Sequence, residues 1–140
     1  MRNSKPILLV EDDDVDVMTV KRALKDSKVT NKLVSISDGE EAIDYLRTKS
    51  NAKPCVILLD LNMPKMNGIE FLKIAKTDEE LKSIPVIVLT TSGSEQDIVE
   101  SFAFGAAGYM VKSVDYGKFI ETIRAIDGYW TLSELPPDGE

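Results

Sequence analysis

The sequence predicts an α/β fold: a doubly wound sandwich of five parallel strands, each followed by a helix. Three observations carry this expectation. Short apolar, β-branched runs alternate with amphipathic stretches at helical spacing along most of the chain. The first, third and fourth runs are almost continuously apolar, as strands covered on both faces of a parallel sheet are. At 140 residues the chain suits one domain with a single core. Right-handed crossovers leave few topologies, and the usual five-strand order is 2-1-3-4-5.

In chain order, residues 7–10 (ILLV) form the first predicted strand. The acidic stretch that follows opens a helix with the stripe Val17, Val20, Ala23 and Leu24, capped by Asp13 or Asp14. Residues 33–36 make the second strand, and Ala42, Ile43 and Leu46 mark the helix after it. Residues 56–59 make the third, and a helix carrying Ile69, Leu72 and Ile74 begins after Gly68. Residues 86–89 precede a helix with Ile98, Val99, Phe102 and Ala103, and residues 109–111 precede one with Phe119, Ile120, Ile123 and Ile126. The domain is expected to span residues 1–127. Residues 128–140 then form a tail whose Tyr129, Trp130, Leu132 and Leu135 dock on the domain, or at a dimer or partner surface.

Composition narrows the function. A net charge of −7 argues against a nucleic-acid partner, because phosphate backbones attract Lys and Arg clusters that this chain lacks. No apolar stretch approaches the ~20 residues that span a bilayer, and MRNSKP leads straight into a strand rather than resembling a signal peptide. The single cysteine, Cys55, cannot form an internal disulfide, which fits a reducing cytosol and a cytoplasmic protein. The absence of histidine removes Ser-His-Asp and Cys-His nucleophile systems and histidine metal ligands, leaving carboxylates, hydroxyls and lysines for any chemistry.

Those groups stand at strand ends. Glu11 and Asp12 follow the first strand, Asp60 the third, Thr90 the fourth and Lys112 the fifth. In an open α/β sheet, ligands sit outside the carboxyl ends of the strands, near the point where strand order reverses. With the first and third strands adjacent, three carboxylates open onto one crevice and repel one another unless a cation or a proton intervenes. Mg²⁺ suits them, since it takes oxygen ligands, keeps several waters and is often completed by a substrate phosphate. Each group alone has an ordinary reading, as a solvated cap, a turn hydroxyl or a solvent-facing lysine. Together they suit a phosphoryl group, with Asp60 as nucleophile, Thr90 as hydrogen-bond donor, and Lys112 and the metal neutralising its oxygens.

Over nearly its whole length the chain resembles the receiver domain of two-component response regulators. The matching elements are Glu11-Asp12, the D-x-N-M-P-x-M-x-G stretch from Asp60 to Gly68, Thr90 after P-V-I-V-L, and G-Y-M-V-K at 108–112. The resemblance implies a flavodoxin-like (βα)5 arrangement and phosphotransfer from a kinase phosphohistidine to Asp60. It implies direct Mg²⁺ ligation by Asp12, Asp60 and the Asn62 carbonyl, with Glu11 acting through water. Thr90 and Lys112 are implied to contact the phosphoryl oxygens. Thr90 then moves toward them, Tyr109 turns inward, and helix four and its flanks report the change. Asn62, Thr91 and Ser92 are placed to control water access and so the lifetime of the phosphoryl group. Glu11 replaces the commoner Asp. Ser113 stands where members commonly have proline after the lysine, often with a cis bond. A cis bond before a non-proline residue costs ~2.5–4 kcal/mol, so either it is kept to aim Lys112 or the loop differs.

Finer features, the K-S dipeptide, T-D-E-E-L-K-S-I-P before the fourth strand and D-G-Y-W after the last helix, resemble stand-alone receivers paired with phytochrome-type histidine kinases. The resemblance also implies a homodimer through the fourth and fifth strand-helix units and the apolar tail, and a regulator with no output domain of its own. Other readings fare worse. An EF-hand starting at Asp12 requires Gly at position 17 and Glu at 23, where Val17 and Ala23 stand. A dinucleotide-binding turn needs glycines that EDDDVD lacks. An aspartyl-phosphate phosphatase of the haloacid dehalogenase type places its nucleophile after the first strand and adds a cap domain, for which 140 residues leave little room. A degenerate receiver acting only as a binding module has no need of Asp12, Asp60, Thr90 and Lys112 together.

Overall fold

The structure, a computed structural model, describes residues 4–132, with side chains described as far as 128. Strands β1 (Ile7–Val10), β2 (Leu33–Ile36), β3 (Val56–Leu59), β4 (Val86–Thr90) and β5 (Gly108–Val111) alternate with helices α1 (Asp14–Asp26), α2 (Gly39–Arg47), α3 (Gly68–Thr77), α4 (Glu95–Ala103) and α5 (Tyr116–Leu132). All strand pairs are parallel, in the expected order β2-β1-β3-β4-β5. The three apolar runs are the three inner strands, and every residue of β1, β3 and β4 is buried.

Alternation along the strands divides the core in two. Leu8, Val10, Ile57, Leu59, Val86 and Val88 face α2 and α3, while Ile7, Leu9, Val56, Leu58, Ile87 and Leu89 face α1 and α5. Register then decides what the sheet presents. Val10 pairs with both Ile36 and Leu59, Leu59 with Val88, and Thr90 with Val111. The strands therefore end nearly level, and Glu11, Asp60, Thr90 and Lys112 emerge along one edge.

Local chemistry starts each of the first four helices. Asp13 is the cap of α1, its carboxylate accepting from the backbone N–H groups of Val15 and Asp16. Asp38 caps α2, Asn67 and Glu70 form a reciprocal capping box on α3, and Ser94 caps α4. Replacing Asp13 by Ala leaves two N–H groups without that acceptor and is expected to cost about 1 kcal/mol. Urea denaturation of the variant checks this; an unchanged midpoint would mean water replaces the cap without loss.

The packing departs from the sequence expectation in places. On α3 the buried line is Phe71, Leu72 and Ala75, with Ile69 and Ile74 packed at its margin. On α4 only Ser101 is buried; Ile98 is partly covered, Ala103 is exposed, and Val99 and Phe102 are 59% and 49% exposed. The apolar stripe of α4 thus faces largely away from the core. Helix α5 continues to Leu132, past the boundary expected at 127. The docking expected of the tail lies outside the described residues and side chains. The Lys112–Ser113 peptide is trans, so the loop after β5 takes the second of the two alternatives. Among the described residues, no helix is long and apolar enough to cross a membrane.

Candidate functional site

Chain reversal at the ends of β1 and β3 builds the acidic cluster. Glu11 and Asp60 are the first residues past their strands, and the backbone N–H of Asp60 donates to the Val10 carbonyl at 3.1 Å. Glu11, Asp12 and Asp60 each offer a carboxylate oxygen, and these lie within 4.8 Å of one another. Glu11 and Asp60 are buried and Asp12 is exposed, so the cluster is closed on the protein side and open to water on the other.

Two backbone donors hold the carboxylates. The Asn62 N–H donates to Asp60 Oδ1 at 3.3 Å, and the Asp13 N–H donates to Glu11 Oε2 at 3.2 Å. Lys112 supplies the positive charge. Its Nζ hydrogen-bonds the Glu11 carboxylate, lies 2.9 Å from Asp16 Oδ2, and stands 3.7 Å from Asp60 Oδ2. Burial pushes Glu11 up to about 7, helped by the nearby Asp60 and opposed by Lys112. Burial alone would lower Lys112, but its bonds to Glu11 and Asp16 outweigh that and keep it charged.

The β4 end completes the edge. Thr90 is fully buried, its hydroxyl accepts from the Ser92 N–H at 3.4 Å, and its carbonyl accepts from the Lys112 N–H at 2.7 Å. Thr91 is exposed and shares a groove with Lys112, Asp16 and Ser113. The Ser92 hydroxyl donates to the Asp97 carboxylate of α4, and the Tyr109 hydroxyl donates to the Ser92 carbonyl at 2.7 Å. Asn62 borders a separate hollow with Met63, Asn67 and Asp97.

The structure therefore brings Glu11, Asp12, Asp60 and Lys112 into one cluster, with Thr90 at the adjoining strand end and Asn62 attached through its backbone. Ser92 and Tyr109 are bonded to each other and through Asp97 to α4. Sequence reasoning missed Asp16 as a partner of Lys112. The available signal was its place in the first turn of the helix that opens directly after Glu11 and Asp12.

An all-oxygen, three-carboxylate set with a solvent-facing side fits a hard divalent cation that retains waters, such as Mg²⁺ or Mn²⁺, and lacks the nitrogen or sulfur donors that favour softer metals. Residues 7–124 match the response regulator receiver domain. The chain belongs to that family. This receiver is 37% identical over 130 residues to the response regulator Rcp1 of Synechocystis sp., covering 90% of this chain and 88% of Rcp1. Among solved structures it is similar to the phosphorylated cyanobacterial phytochrome response regulator RcpA, with a TM-score of 0.88 and 38% identity over 96% of this chain and all of that one. It is also similar to the Mn²⁺-bound form of Rcp1, with a TM-score of 0.86 and 36% identity over 95% and 99% of the two chains. Receiver domains are signalling modules served by histidine kinases, and they bind Mg²⁺ or Mn²⁺ at an acidic site. The sequence-based family and fold assignments both stand.

Proposed function

We propose that this receiver accepts a phosphoryl group from a kinase phosphohistidine onto Asp60 in a Mg²⁺-dependent reaction, and that the acyl phosphate switches a protein-interaction surface. The observation that carries the reading is the position of Asp60, a buried carboxylate within 4.8 Å of oxygens of Glu11 and Asp12 and 3.7 Å from Lys112 Nζ. Asp12, Asp60 and the Asn62 carbonyl would hold the cation, with Glu11 acting through water. Bound there, Mg²⁺ would offset the negative charge of the carboxylates and of the incoming phosphoryl oxygens. An Asp60 carboxylate oxygen forms the new bond to phosphorus as the P–N bond to histidine breaks. Lys112 donates to one phosphoryl oxygen and Thr90, moving toward the group, to another.

Tyr109 then turns inward, leaving the Ser92 carbonyl, and α4 reports the change. Two observations support α4 in this role: it buries only Ser101, and Ser92 joins it to the site through Asp97. The exposed Val99, Phe102 and Val111 on α4 and β5 favour a homodimer through these units. The likeness to RcpA and Rcp1 favours a phytochrome-type sensor kinase as donor. A cytoplasmic protein without nucleic-acid contacts fits the reading.

Incubation with acetyl phosphate and Mg²⁺, followed by intact-mass measurement, tests the chemistry. One stable added phosphoryl per chain is expected. Repeated turnover of small phosphate esters would instead mark a phosphatase, and no adduct at all would refute the proposal. A phosphotransfer profile against the histidine kinases of the source organism tests the donor.

Asn62, Thr91 and Ser92 set the lifetime of the phosphoryl group by limiting water. Ser92→Ala removes the bond to Asp97 and loosens the loop after Thr90. One lost hydrogen bond of ~1 kcal/mol is a rate factor of about 5. The variant should still be phosphorylated but decay about fivefold faster, and an unchanged decay rate would remove Ser92 from this role.

A further inference from the structure

We infer that Asp16 is a positioning residue for Lys112, holding the ammonium from the α1 side so that Glu11 and Asp60 are free to take the divalent cation. The inference rests on the metal reading above. Lys112 Nζ meets three carboxylates, those of Glu11, Asp16 and Asp60. Two of them belong to the group whose oxygens converge within 4.8 Å, whereas Asp16 lies outside it. An ammonium donates three hydrogen bonds and accepts none. A cation at Asp12 and Asp60, with Glu11 acting through water, would repel Lys112 and draw on the same carboxylates. Asp16 gives the ammonium an anion that does not have to be surrendered.

The geometry that permits this is built into α1. The Asp16 N–H donates to the capping carboxylate of Asp13, fixing the backbone of the residue in the first turn. Further along α1, Arg22 lies over the Tyr116 ring at 4.0 Å and the Tyr116 hydroxyl donates to Asp26 at 2.7 Å, fastening the helix to the segment that follows Lys112. The Lys112 side chain is 8% exposed and that of Asp16 35%, so Asp16 lies on the solvent side of the ammonium.

The test is Mg²⁺ binding by titration calorimetry on the wild-type chain, Asp16→Asn, Asp14→Asn, Lys112→Met and the Asp16→Asn/Lys112→Met double variant. Asp14 is an exposed carboxylate in the same first turn and controls for bulk charge. Asp16→Asn should weaken Mg²⁺ about tenfold, the value of one lost charge-assisted bond, and Asp14→Asn twofold or less. In the Lys112→Met background the effect of Asp16→Asn should disappear, because the ammonium it restrains is gone. Asp16→Glu should recover part of the loss. Equal losses for Asp14→Asn and Asp16→Asn, or an undiminished loss without Lys112, would overturn the inference while leaving the metal site intact. Failure of the wild-type chain to bind Mg²⁺ would overturn both.

Discussion

Asp60→Asn is expected to abolish phosphorylation by acetyl phosphate, lowering the labelling rate by a factor of about 10³ or more, as loss of a nucleophile does, while the fold persists. The amide keeps the shape of the carboxylate, and its carbonyl can still accept from the Asn62 N–H that now meets Asp60 Oδ1. What it lacks is the anionic oxygen that attacks phosphorus. The buried setting also makes the substitution mild for the scaffold. Asp60 stands close to Glu11, whose carboxyl is pushed up to about 7 mainly by burial and in smaller part by Asp60, so removing one negative charge relieves that repulsion in the metal-free protein. A melting temperature equal to or above wild type, together with absent labelling, is the predicted pair of results. Labelling at the wild-type rate would show that another residue is the acceptor.

The parts of this molecule that were legible in the sequence are those set by short-range pattern. Strands β1, β2 and β3 carry the predicted bounds, and β4 and β5 differ by one residue each, because short runs rich in apolar and β-branched residues stand out from the polar turns that bound them. The convergence of Glu11, Asp12, Asp60 and Lys112 followed from strand ends and strand order alone. What pattern could not supply was the packing at the weakly covered side of the sheet. Val99 and Phe102 have the spacing of a core face, yet the buried position on α4 went to Ser101. Spacing says that apolar residues share a side of a helix; it does not say that the sheet offers that side anything to cover. Asp16 was hidden for a related reason. Its partner lies 96 residues away, and only the docking of α1 beside the end of β5 brings them together.

Gly68→Ala should be the most damaging single methyl that can be added to the site. The chain leaves β3 at Leu59, carries Asp60 and Asn62 through the turn, and returns to start α3, where the Gly68 N–H donates to the Leu61 carbonyl at 2.9 Å. A Cβ at Gly68 would lie 2.6 Å from the Asp60 carbonyl oxygen and 2.6 Å from the Leu61 Cα, both backbone atoms that no rotamer change can move aside. Relief therefore requires the loop itself to shift. Overpacking of this kind costs ~3 kcal/mol, equivalent to a fall of about 10 °C in Tm for a chain of this size. Because the displaced residues include the acceptor and its Asn62 neighbour, the phosphorylation rate should fall as well, by about 10² for a displacement near 1 Å. Gly93, in the loop before α4, is the contrasting site, since a Cβ there meets nothing within 4 Å. Gly93→Ala should melt within a degree or two of wild type. Thermal unfolding and acetyl phosphate labelling of both variants decide the matter. If Gly68→Ala unfolds and reacts like Gly93→Ala, then the close return of the chain behind Asp60 is not what holds the acceptor in place.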